Sequence, residues 1–182
     1  MFVGDNLNAY GKWRLNSGRW GDPGNPTMTY WKKVLALLSE AGIPTAEAFF
    51  TNAYVGLMEG DNPSADFPGR RSATFCRWCA SFLIQQIHVM QPRLVVALGG
   101  KSQLALDSWN IARRAGVDGR IVRLSHPSNR KGHAAMVSDA AILRRAYDLV
   151  SRAAPGRSGS TGPPPSSADT LRPQPRSKTT PA

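Results

Sequence analysis

Leu94-Val95-Val96-Ala97-Leu98-Gly99-Gly100-Lys101-Ser102 is the stretch whose reading decides the fold. Five consecutive apolar residues with no alternation suit a strand buried on both faces, and such strands are central in parallel sheets. Pro92 separates the run from what precedes it, and the two glycines let the chain turn into a short helix over residues 102–109. Gly99-Gly100-Lys101-Ser102 resembles the end of a phosphate-binding loop, but the first glycine of that motif would fall at Val95. Nucleotide hydrolysis is rejected on that ground.

Working outward toward the amino terminus, Phe75, Cys79, Phe82, Leu83, Ile87 and Met90 recur at three- and four-residue steps and predict a helix over residues 72–90. Cys76 and Cys79 lie one turn apart on it. With no second pair to complete a metal or redox set, they read as buried structural thiols. The loop at residues 60–71 holds Asp61, Asp66, Arg70 and Arg71 in no readable pattern. Before it, residues 47–52 predict a strand ending in Thr51-Asn52 and followed by a glycine-rich loop. An earlier helix opens at Thr29, runs through Val34, Leu35, Leu37 and Leu38 and stops at Gly42 and Pro44, with Tyr30 and Trp31 read as core. Met1-Phe2-Val3 reads as the end of a buried strand running into Gly4-Asp5-Asn6.

Toward the carboxyl terminus, Ile121, Val122 and Leu124 supply a short strand, broken by Ser125, Pro127, Ser128, Asn129 and Gly132. Residues 136–152 give a last amphipathic helix. Strands and helices thus alternate four times, which predicts a three-layer α/β/α sandwich with a mainly parallel four-stranded sheet. It should occupy residues 1–153. Residues 154–182 are rich in Pro, Ser and Gly with scattered arginine, too poor in apolar groups to offset the entropy of ordering, and a disordered basic tail is expected there.

The 182 residues carry 23 Lys+Arg against 12 Asp+Glu, a net charge of +11. In the tail, Arg157, Arg172, Arg176 and Lys178 against Asp169 hold a net +3 of this. Such an excess predicts attraction to polyanions, nucleic acid first among them. Two cysteines give no disulfide framework. No apolar run is long enough to span a bilayer and no signal peptide is legible, so no membrane partner and a cytoplasmic, nucleoid-associated location are expected.

Polar side chains fall at three predicted strand ends. Asp5 and Asn6 follow the first strand and read either as an Asx-turn or as a carboxylate and an amide at the ligand-binding edge. Asn52 ends the second and reads either as a turn residue or as a paired donor and acceptor able to meet a base edge. His126 follows the fourth, fixed by Pro127 and beside Arg130 and Lys131, a setting suited to an anionic or hydrogen-bonding ligand. Between the first strand and the first helix, Tyr10, Trp13 and Trp20 alternate with Lys12, Arg14 and Arg19. That suits stacking on bases with contacts to phosphate, or a loop anchored to the core by one tryptophan.

The order of these elements resembles the uracil-DNA glycosylase superfamily. The matching pieces are Val3-Gly4-Asp5-Asn6, Thr29-Tyr30-Trp31-Lys32, Phe50-Thr51-Asn52, Phe82-Leu83-Ile84-Gln85-Gln86-Ile87, Pro92-Arg93-Leu94-Val95-Val96-Ala97-Leu98-Gly99 and His126-Pro127-Ser128, spread over residues 2–147. The resemblance implies hydrolysis of the N-glycosidic bond of uracil or another deaminated base flipped out of single- or double-stranded DNA. Its first motif is most similar to the mismatch-specific branch, which implies Asn6 as the water-positioning residue with Asp5 as the alternative general base. Asn52 matches the base-reading asparagine and, with Gly4 and Trp20, makes up the implied substrate-binding set. His126 matches the histidine that stabilises charge on the departing base. Ser128 is implied to contact a phosphate, and Asn129, Arg130 and Lys131 to occupy the wedge that enters the base stack. Leu7 stands where relatives carry proline, and the wedge is polar where theirs is often apolar. The resemblance implies a monomer with no metal and no cofactor, since the branches with an iron-sulfur cluster need four cysteines.

Overall fold

A computed structural model describes residues 1–9, 29–58, 67–127 and 132–152, with the side chains of 6–9, 29, 57 and 58 left aside. Four strands, β1 (Phe2–Ala9), β2 (Phe50–Met58), β3 (Val95–Leu98) and β4 (Ile121–Leu124), form one sheet in the order β2-β1-β3-β4. Every pairing is parallel. The five α-helices among the described residues are α1 (Thr29–Glu40), α2 (Ala73–Met90), α3 (Gly100–Ser108), α4 (Ile111–Arg114) and α5 (Gly132–Arg152).

The continuous apolar run does what its composition requires. Val95, Val96, Ala97 and Leu98 are all buried, because β3 lies inside the sheet with helices over both faces. On one face Val3, Val95 and Ala97 pack with Cys79, Leu83 and Ile87 of α2 and with Ala105 and Leu106 of α3. On the other, Phe2, Val96, Leu98 and Leu124 pack with Leu37 and Leu38 of α1 and Leu143 of α5. The molecule is therefore the three-layer α/β/α sandwich expected from the alternation of elements, with a sheet that is wholly parallel.

Helix boundaries follow local chemistry. Ser72 caps α2 by accepting the Phe75 N–H at 3.3 Å, so that helix begins one residue later than its apolar periodicity suggests. At the end of α1, Gly42 takes φ +63, its N–H donates to Ser39, and Ile43 N–H donates to Leu38 at 2.9 Å. This is a glycine-terminated helix end in which buried Ile43 and Leu38 share the same core cluster.

Two strand boundaries differ from the sequence reading. β1 does not end at Val3 but continues to Ala9, and β2 begins at Phe50 and runs to Met58. The two strands stay paired from Phe2↔Phe50 to Ala9↔Met58, with an irregularity between Asn6 and Asn8. Asp5 and Asn6 therefore lie in a strand and not in an Asx-turn, and Asn52 sits inside β2 rather than at its end. Low strand propensity is overridden here because each strand supplies the other's backbone hydrogen bonds. Glu47, expected to open this strand, belongs instead to a 3-10 turn (Thr45–Glu47). The final helix likewise begins earlier than expected, at Gly132.

Candidate active site

In an open parallel sheet, ligands bind at the carboxyl edge where successive connections leave in opposite directions. With the order β2-β1-β3-β4, that point lies between β1 and β3. The last pair between them is Val3↔Ala97, so Gly4 and Asp5 come level with Leu98 and Gly99 where β3 gives way to α3. Gly4 also pairs with Asn52, and Leu98 with Leu124, two residues before His126. Register alone thus brings Gly4, Asp5, Asn52 and His126 to one edge.

Asn52 is a buried polar residue, 5% exposed. It lies so close over Gly4 that a Cβ at that position would meet Oδ1 at 2.5 Å. A side chain at position 4 would displace the Asn52 amide from this approach, so glycine permits the close contact. An asparagine at this edge presents a donor and an acceptor together.

His126 is held by two neighbours. Gly99 has φ +89, and a Cβ there would fall 2.7 Å from the His126 Cβ, so the backbone of the β3–α3 turn forms the wall behind the imidazole. The end of β4 is fixed to the same turn, because the Leu124 carbonyl accepts from Gly99 N–H at 2.8 Å and from Gln103 Nε2 at 3.1 Å. Ser102, fully buried, donates to the Gly99 carbonyl at 2.9 Å. Tyr30 places its ring 5.7 Å from the imidazole, tilted by 44°. Tyr30 in turn stands edge-on to Trp31, and Trp31 to Phe50, an aromatic chain running from the core to the histidine.

Asp5 is not left open. Nη2 of Arg70 forms an ion pair with Oδ1 of Asp5, and the two side chains are 20% and 13% exposed. The guanidinium carbon lies 4.9 Å from the centre of the Tyr54 ring. Burial pushes the Tyr54 phenol above its ordinary pKa, with the nearby Arg70 charge opposing the shift, so the ring stays neutral beneath the cation. Arg70 belongs to a 3-10 turn (Pro68–Arg71), which Cys76 ties to α2 by donating from Sγ to the carbonyls of Gly69 and Arg70. Both cysteines are free thiols, and burial raises the pKa of Cys79. Cys76 thus has a structural contact of a kind its spacing alone does not specify. Among the described residues no three His, Cys, Asp or Glu side chains come together as a metal site would need.

Of the site residues named from sequence, Gly4 and Asn52 lie against each other, Asp5 pairs with Arg70, and His126 stands against Gly99 and Tyr30, all toward the same edge of the sheet. The backbone of Asn6 pairs with Tyr54, while its side chain lies outside the described set, as do Trp20, Ser128, Asn129, Arg130, Lys131 and the tail. Sequence reasoning missed Arg70, Gly99 and Gln103 and assigned Tyr30 to the core alone. A glycine pair immediately after a central strand was a usable signal for Gly99, since close backbone approach requires it. Arg70 had no such signal.

The chain is thus a parallel α/β/α protein with an amide, an imidazole and a paired carboxylate placed along the carboxyl edge of its sheet. A family model of the Uracil DNA glycosylase superfamily matches residues 26–149, and the chain belongs to that superfamily. The matched stretch takes in Asn52, Arg70 and His126 and begins after Gly4, Asp5 and Asn6. No curated protein matches the chain.

Proposed function

We propose that the protein is a DNA-repair glycosylase that hydrolyses the N-glycosidic bond of uracil or another deaminated base flipped out of DNA. The observation that carries this reading is the buried Asn52, laid over Gly4 at the sheet's carboxyl edge. An amide presents a donor and an acceptor together, a pattern complementary to the uracil edge and mismatched to cytosine's reversed one. His126, held against Gly99 and Tyr30, stabilises the negative charge that develops on the base as the bond breaks. Asn6 positions the water, in keeping with the mismatch-specific branch whose first motif the chain most resembles, and Asp5 stands beside it. The net charge of +11 favours a polyanionic substrate, and the protein acts in the cytoplasm on the nucleoid.

The test is cleavage of end-labelled oligonucleotides carrying uracil, hypoxanthine or xanthine, single-stranded and mismatched, with alkali to reveal abasic sites. Alkali-sensitive product is expected, and His126→Ala should lower its rate about tenfold or more with little loss of DNA binding. Binding without product on every substrate would instead identify a non-catalytic nucleic-acid-binding protein that retains the fold. An unchanged rate in His126→Ala would remove the histidine from the mechanism.

A further inference from the structure

We propose that Arg70 is a positioning residue for this hydrolysis. By holding Oδ1 of Asp5 it fixes the carboxylate at the edge of β1, leaving Oδ2 to act as general base toward the water that Asn6 positions. The inference rests on the glycosylase reading above and extends it to a residue outside the motifs that suggested that reading.

Three observations converge on Arg70. First, its ion pair with Asp5 engages one carboxylate oxygen, and Oδ2 has no partner among the described residues. Second, the guanidinium is held on its other side by the Tyr54 ring at 4.9 Å. Third, the turn that carries it is fixed from below. Cys76 Sγ reaches the carbonyls of Gly69 and Arg70, and Gly69 is packed so tightly that a Cβ there would come within 2.9 Å of the Phe75 ring.

A partly buried ion pair contributes little net stability, because desolvating both charges offsets most of their attraction. Stability therefore gives no strong reason for so constrained an arginine. What the constraint does supply is a carboxylate of one orientation, two residues beyond the last β1–β3 pair, Val3↔Ala97. In the reaction the water oxygen bonds to the anomeric carbon as the base leaves with the electron pair of the N-glycosidic bond. The proton released by the water passes through Oδ2 to solvent, from which the departed base recovers one. A mobile carboxylate would stand in the proton-accepting geometry only part of the time, and small misplacements of this kind can cost about a hundredfold in rate.

The experiment is a double-mutant cycle read by single-turnover cleavage of the preferred oligonucleotide and by DNA-binding affinity. Arg70→Gln should lower the cleavage rate about tenfold or more while leaving affinity within about twofold, and Arg70→Lys should restore part of the rate. In an Asp5→Asn background, Arg70→Gln should cost nothing further. The double variant carries no unpaired buried charge, so comparing it with Asp5→Asn remains decisive if Arg70→Gln alone fails to fold. Wild-type activity with an unchanged rate in Arg70→Gln, or equal losses in both backgrounds, would overturn the role of Arg70 and leave the glycosylase reading intact. A wild-type chain that binds DNA but releases no base would overturn both.

Discussion

Asn52 shows how little room the site leaves for another side chain. Its side chain lies over Gly4, so under the proposed function base recognition depends on the orientation of one oxygen and one nitrogen. Asn52→Asp keeps the shape and replaces the donor with an acceptor, and should relax discrimination between uracil and cytosine. Competition between oligonucleotides carrying the two bases would measure it, and an unchanged preference would count against the base-reading role. The residue types at this site were legible in the sequence, since a histidine before proline and an asparagine inside Phe50-Thr51-Asn52 stand out by composition. Arg70 was not legible, because its partner is Asp5, far away in the chain, and no local pattern reports a pair formed by folding.

The element that organises the site is the turn from β3 into α3. Gly99 reaches φ +89, where a side chain is strained, and any Cβ would also strike His126. Gly99→Ala should therefore cost roughly 1–3 kcal/mol of stability and should lower the cleavage rate of the folded fraction as well. Thermal unfolding and single-turnover rates on one sample would check both, and a stable variant with full activity would show that the wall behind His126 is dispensable. The same turn resembles a phosphate-binding loop in sequence. Its tertiary role is different, because Gly99 N–H and Gln103 Nε2 both donate to the Leu124 carbonyl and hold the end of β4. Short motifs report backbone freedom well, but they do not report what the freed backbone will touch.

At the scale of the molecule, charge and length set the behaviour toward nucleic acid. With +11 on 182 residues, DNA affinity should fall steeply with salt, each phosphate contact contributing about 0.9 to the slope of log affinity against log salt. Truncation after residue 153 removes four Lys/Arg and one Asp and should reduce that slope by no more than about four. Binding titrations of the full and shortened chains over a salt series would measure the difference. A larger drop would mean that the segment does more than add charge.

The layer order was already determined by the sequence, since a central strand must be apolar throughout and an amphipathic helix must repeat its apolar residues along one face. That requirement is local and survives in the linear pattern, from Leu94-Val95-Val96-Ala97-Leu98 to the periodicity of α2. Where β1 and β2 end, and which side chains meet beyond those ends, was decided only by tertiary structure. Asp5 remains in a strand because β2 completes its hydrogen bonds, Asn52 is buried because Gly4 makes room, and Arg70 joins them because the turn before α2 folds over Tyr54. Each of these depends on contacts between segments distant in sequence, whose energies exist only once the sheet has formed.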